Sequence, residues 1–109
     1  MSTFADWITD QHLQVVYDVV YSTLFGATRS QLCEQVGVDP AIPQSAVGAV
    51  EDYMSVEALQ ALAAVDAGMI RWVKQRMVYQ DRTLAGAVGE ARRLARLHRL
   101  AGDWRYGGE

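Results

Sequence analysis

The chain has 109 residues, half of them hydrophobic and 21% charged, with a formal net charge of −3. That length suits one domain with a modest core, and the apolar share excludes disorder. No run approaches the roughly 20 apolar residues that a bilayer-crossing helix needs, and the single Cys33 excludes an internal disulfide.

Residues 1–8, MSTFADWI, read as an N-terminal arm carrying Phe4 and Trp7. Thr9 can cap a helix running to about Phe25, where Gly26 supplies a left-handed stop. Leu13, Val16, Tyr17, Val20 and Leu24 give it an apolar stripe at helical spacing. Thr28-Arg-Ser-Gln31 is a capping box that opens a short helix ending before Gly37, with Cys33 as a small core residue. Pro40 and Pro43 interrupt helical backbone after that turn, and a further helix is predicted from about Gln44 to Tyr53.

Ser55 caps a long helix reaching about Gln80, roughly 39 Å from end to end. Val56, Leu59, Ala63, Ile70, Val73 and Met77 form its apolar seam, with Asp66 inside it. A buried acid of this kind is expected to pair with an arginine and fix register. Ala58, Ala61, Val65, Trp72 and Tyr79 form a second apolar side, so the helix is central or turns that side to another subunit. Thr83 caps the last helix, predicted from Leu84 to about Ala101 with Gly102 ending it. Its broad apolar face includes Leu94, Leu97 and His98, the last expected in the core. Period-two alternation and hairpin turns are absent. The expected fold is all-α: a single helical domain over residues 1–109, a bundle of four to five helices around one long central helix.

Charge is unevenly spread. Residues 1–66 carry nine acidic side chains and Arg29 alone, a net −8; residues 67–109 carry nine basic and four acidic, a net +5. Such asymmetry suits an electrostatically steered partner, unless the halves neutralise each other within the fold. Arg92, Arg96 and Arg99 fall on one outward stripe of the last helix. The tail over 102–109 then interleaves Trp104 and Tyr106 with Arg105, an arrangement suited to a pocket on a neighbour. These six residues, with Trp72 and Tyr79, are the expected partner-binding set.

No Ser, His and Asp grouping has a local catalytic signature, no glycine-rich loop follows a strand, and two histidines with one cysteine offer no metal-ligand spacing. The chain is therefore read as a non-enzyme without catalytic, metal-binding or cofactor-binding residues. No basic stretch leading into an apolar run opens it, so it also reads as neither secreted nor membrane-bound.

Two resemblances bear on function. ALAAVDAGMIRWVKQRMVYQD and then TLAGAVGEARRLARLHRLAGDW resemble the helical pair of small head–tail connector (adaptor) proteins of tailed bacteriophages. The resemblance covers about half of the chain. It implies a structural subunit of a virion that forms a homo-oligomeric ring and grips neighbouring assembly proteins with its terminal arms; outside a virus the place would be the cytoplasm. The alternative is a small helix-turn-helix DNA-binding regulator using residues 28–53, because TRSQLCEQVGV over 28–38 resembles the first helix and turn of that motif. Its second helix, PQSAVGAVEDYM, would bring Glu51 and Asp52 to phosphate and no basic residue, so sequence-specific nucleic-acid binding is not expected.

Overall fold

A computed structural model describes residues 10–44, 46–79 and 84–106, and the side chains of these apart from 10–12 and 76–79. Among the described residues four α-helices succeed one another: α1 (Asp10–Phe25), α2 (Arg29–Val36), α3 (Val56–Tyr79) and α4 (Leu84–Leu97), with a short 3-10 turn over Val50–Tyr53. The protein is an all-α bundle. α1 and α4 make the most extensive helix pair, and α4 also lies along α3.

Local chemistry accounts for most of the helix ends. Thr28 closes the predicted capping box: its hydroxyl accepts from Gln31 N–H, while the Gln31 amide oxygen accepts from Thr28 N–H at 2.8 Å. Gly37 ends α2 at φ 73°, where Val38 N–H reaches Cys33 C=O at 2.9 Å. The Ser55 hydroxyl accepts from Ala58 N–H at 3.1 Å and starts α3. The predicted Thr9 and Thr83 caps, the arm over 1–8 and residues 107–109 lie outside the described residues.

One core joins the helices. Val16, Val20 and Leu24 of the predicted α1 stripe are buried, and Tyr21 is buried with them. Cys33 is fully enclosed, as expected. α3 turns Ala58, Ala61, Leu62, Val65, Met69, Trp72 and Val73 inward. α4 supplies Ala87, Ala91, Leu94 and Ala95 to the core, mostly small residues that let neighbouring helices come close. α3 and α4 are in tight contact at Gly68, where an added Cβ would stand 2.7 Å from Leu94 Cδ1.

Three expectations need correction. Among the described residues of 44–53 no α-helix forms: Gly48 takes φ 87° and Ala49 is extended, and helical backbone appears at Val50, as a 3-10 turn. Gly48 N–H is instead held by the Asp52 carboxylate at 2.7 Å. α4 stops at Leu97 rather than Ala101, because Leu100 N–H leaves the helix to donate to Leu24 C=O of α1 at 3.2 Å. His98 is therefore exposed instead of buried, and Leu97 is 66% exposed. Finally, the seam named for α3 lies partly outside the core: Val56 and Leu59 are 58% and 42% exposed, and Ala63 is exposed too.

Candidate functional site

The expected partner-binding residues separate into two groups. Arg92, Arg96 and Arg99 face outward and form no ion pair among the described residues. Their neighbour Arg93 is committed to Glu90 at 2.7 Å, one helical turn away. Tyr106 is 78% exposed. Arg105 is outward, with its guanidinium 3.4 Å from Asp103 and 6.0 Å from the centre of the Trp104 ring.

Trp104 belongs to the other group, which corrects the expectation of a free tail. It is buried in the chain's own core, with its indole N–H donating to Gln35 Oε1 at 3.3 Å. The backbone around it is fastened as well. Ser55 N–H donates to Trp104 C=O at 2.8 Å, Arg105 forms an antiparallel bridge with Met54, and Tyr106 N–H donates to Tyr53 C=O at 2.6 Å. A large aromatic side chain gains more from this apolar slot than from water, so residues 102–106 lie against the start of α3. Trp72 is likewise a core residue, because the side of α3 that carries it meets the other helices; it offers no partner surface. The Tyr79 side chain lies outside the described residues.

Docking of the tail creates a surface that the periodicity of the sequence hid. The backbones of Tyr53 and Tyr106 are joined by a hydrogen bond, both side chains are exposed, and Val56 and Leu59 are exposed on the next turns of chain along the outer side of α3. Exposed Asp52 and Glu57 border it. Val56 and Leu59 read as core in the sequence because they fit a helical seam. The signal pointing the other way was the denser set at 58, 61, 62, 65, 69, 72 and 73, which claims the opposite side of the helix.

A cleft of about 660 Å³ opens between α1, the start of α2 and the turn over 40–44. Leu13, Tyr17, Tyr21, Arg29, Pro40 and Pro43 line it. At its base Glu51 is buried and paired with Arg29: Nε to Oε2 at 2.8 Å and Nη2 to Oε1 at 2.9 Å. The same guanidinium donates to Pro40 C=O at 3.0 Å and Ile42 C=O at 2.7 Å, so four of its five N–H groups are engaged. Tyr21 donates its hydroxyl to Glu51 Oε2 at 2.8 Å. The acid that pairs with an arginine is therefore Glu51, not Asp66. Asp66 instead accepts from the Tyr17 hydroxyl at 3.4 Å, and burial raises its pKa. Burial, then the neighbouring carboxylates, push both Tyr17 and Tyr21 well above the ordinary phenol range. Both phenols stay protonated at neutral pH and serve as donors rather than bases or nucleophiles. The base of the cleft thus ties irregular backbone to the core.

The helix-turn-helix geometry is not met. α2 and its glycine turn are present, but the described residues of 38–49 lack the helix that would enter a groove, and Glu51 points inward. Compared with known proteins, the chain matches no family model, no curated relative and no solved structure. Among the described residues no helix is long and apolar enough to cross a membrane.

Proposed function

We propose that this chain is a structural subunit of a protein assembly, a virion head–tail connector protein, which joins copies of itself head to tail into a ring. The observation that carries this reading is the unneutralised arginine face of α4. Arg92, Arg96 and Arg99 stand exposed with no carboxylate paired to them among the described residues, although Arg29, Arg93 and Arg105 each have one. The acidic half leaves Glu34, Asp39, Asp52 and Glu57 outward. A subunit with opposite charges on different surfaces favours contact between unlike surfaces, and such head-to-tail contacts close into rings when the rotation permits. The connector part of the proposal comes from the resemblance of residues 61–104 to that family. Chemistry plays no part in this role, and the virion is its place.

Native mass in solution, measured across salt concentrations, tests the proposal. A closed oligomer is expected at low salt, dissociating as the screening length shortens from about 10 Å at 0.1 M to about 3 Å at 1 M. A monomer at every concentration and salt would overturn it.

A further inference from the structure

We propose that the acid-bordered apolar patch at the start of α3 is the seat for the arginine-flanked end of α4 from a second copy of this chain. The inference rests on the reading of the chain as a head-to-tail subunit and names the two surfaces that meet.

The first surface is Tyr53, Val56, Leu59 and Tyr106, exposed by 46%, 58%, 42% and 78%. Tyr106 N–H donates to Tyr53 C=O, Tyr53 lies three residues before Val56 in the chain, and Val56 and Leu59 share one face of α3 a turn apart. They are held outward because Ala58, Ala61, Leu62 and Val65 occupy the core side. Asp52 and Glu57 give the border its sign, since Arg105 is neutralised by Asp103. The second surface is Leu97, 66% exposed at the end of α4, between Arg96 and Arg99. Arg92 extends the same positive side, while Arg93 is neutralised by Glu90.

A single exposed leucine needs no explanation. Here two apolar spots exist, each bordered by charge that forms no ion pair among the described residues, and the signs are opposite. Neither surface suits a copy of itself, because a two-fold contact would set acid against acid or arginine against arginine. Facing each other, they bring Leu97 onto the tyrosines and the arginines onto Asp52 and Glu57. The contact is therefore between unlike surfaces, and each subunit carries one of each.

Two variants test this by mixing. Arg96→Glu with Arg99→Glu damages the α4 surface, and Val56→Ser with Leu59→Ser damages the patch without reversing its charge. Each variant alone is expected to self-associate roughly tenfold or more weakly than the parent. An equimolar mixture retains one intact surface of each kind, so light scattering should find a dimer that grows no further. If either variant assembles like the parent, or both fail and the mixture stays monomeric, the inference is wrong while the assembly reading stands. A parent chain that is monomeric throughout removes both. Circular dichroism checks folding; should a charge reversal unfold the helix, Leu97→Ser and Val56→Ser carry the same mixing test.

Discussion

Two regions of this protein are held together by different physics. The corner formed by residues 29–55 has little regular structure after α2, and a few polar contacts secure it. Arg29 binds Glu51 through two N–H groups and holds the carbonyls of Pro40 and Ile42 as well. The helix interior around Asp66 and Gly68 depends on fit instead: α3 passes so close to α4 that a glycine faces Leu94. Its one inward-leaning acid has a phenol for company. Polar contacts of the first kind act together, since one lost partner leaves a buried charge. Packing of the second kind responds to size, methyl by methyl.

The largest effect is expected in the corner. Arg29→Ala should cost roughly 3–5 kcal/mol, because Glu51 stays buried without its counter-charge. Urea unfolding measures the loss. Replacing the pair together, Arg29→Met with Glu51→Leu, should recover most of it; a single-variant loss below about 1 kcal/mol would mean that water already solvates the pair.

A smaller effect is expected in the helix interior. Alanine is a better helix former than glycine by about 1 kcal/mol, yet a Cβ at Gly68 would meet both Leu94 methyls, at 2.7 and 2.8 Å. Leu94 is itself buried and has little room to give. Gly68→Ala should therefore destabilise by roughly 1–3 kcal/mol, and the loss should be less than additive with Leu94→Ala in a double-mutant cycle. A higher melting temperature for Gly68→Ala would show that the seam is looser than its geometry.

The smallest effect concerns Asp66, whose pKa burial raises. The folded state then binds the proton more tightly than the unfolded chain. The group's contribution is fully present below the ordinary aspartate value of about 3.9 and is lost as pH rises through the raised value. Asp66→Asn keeps an acceptor for Tyr17 and removes the charge. It should raise the melting temperature slightly at neutral pH, with the difference vanishing in acid. A drop at neutral pH would mean that the ionised carboxylate is itself stabilised by the fold.

Much of this architecture was legible because helix boundaries are local. The Thr28 box, the Gly37 stop, the Ser55 cap and the buried stripe of α1 each depend on residues within about four positions of one another. The errors fall where distant parts meet. Helix was expected over 44–53, yet Gly48 is turned left-handed and Glu51 is drawn inward to Arg29, 22 positions away. α4 was expected to continue to Ala101, yet Leu100 is taken by Leu24. Trp104 was read as part of a free tail because the gap of 69 residues to Gln35 leaves no periodic trace. Of the candidate interface, the arginine stripe was legible and the Tyr53 and Tyr106 patch was not, since it exists only once the tail has docked.

By itself the sequence determined that the chain is helical, roughly where each helix begins, and that cationic charge gathers on one side of the last one. Propensity, capping and the 3.6-residue period set these features, and all three act within a turn or two of helix. Only the tertiary structure decided which of two apolar sides of α3 faces the core, which acid takes the arginine, and where the C-terminal aromatics lie. Both sides of α3 fit the helical period, the buried one more densely, and the packing settles it: Ala58, Ala61, Val65 and Gly68 face the core, with Gly68 against Leu94, and Val56 and Leu59 are left facing outward.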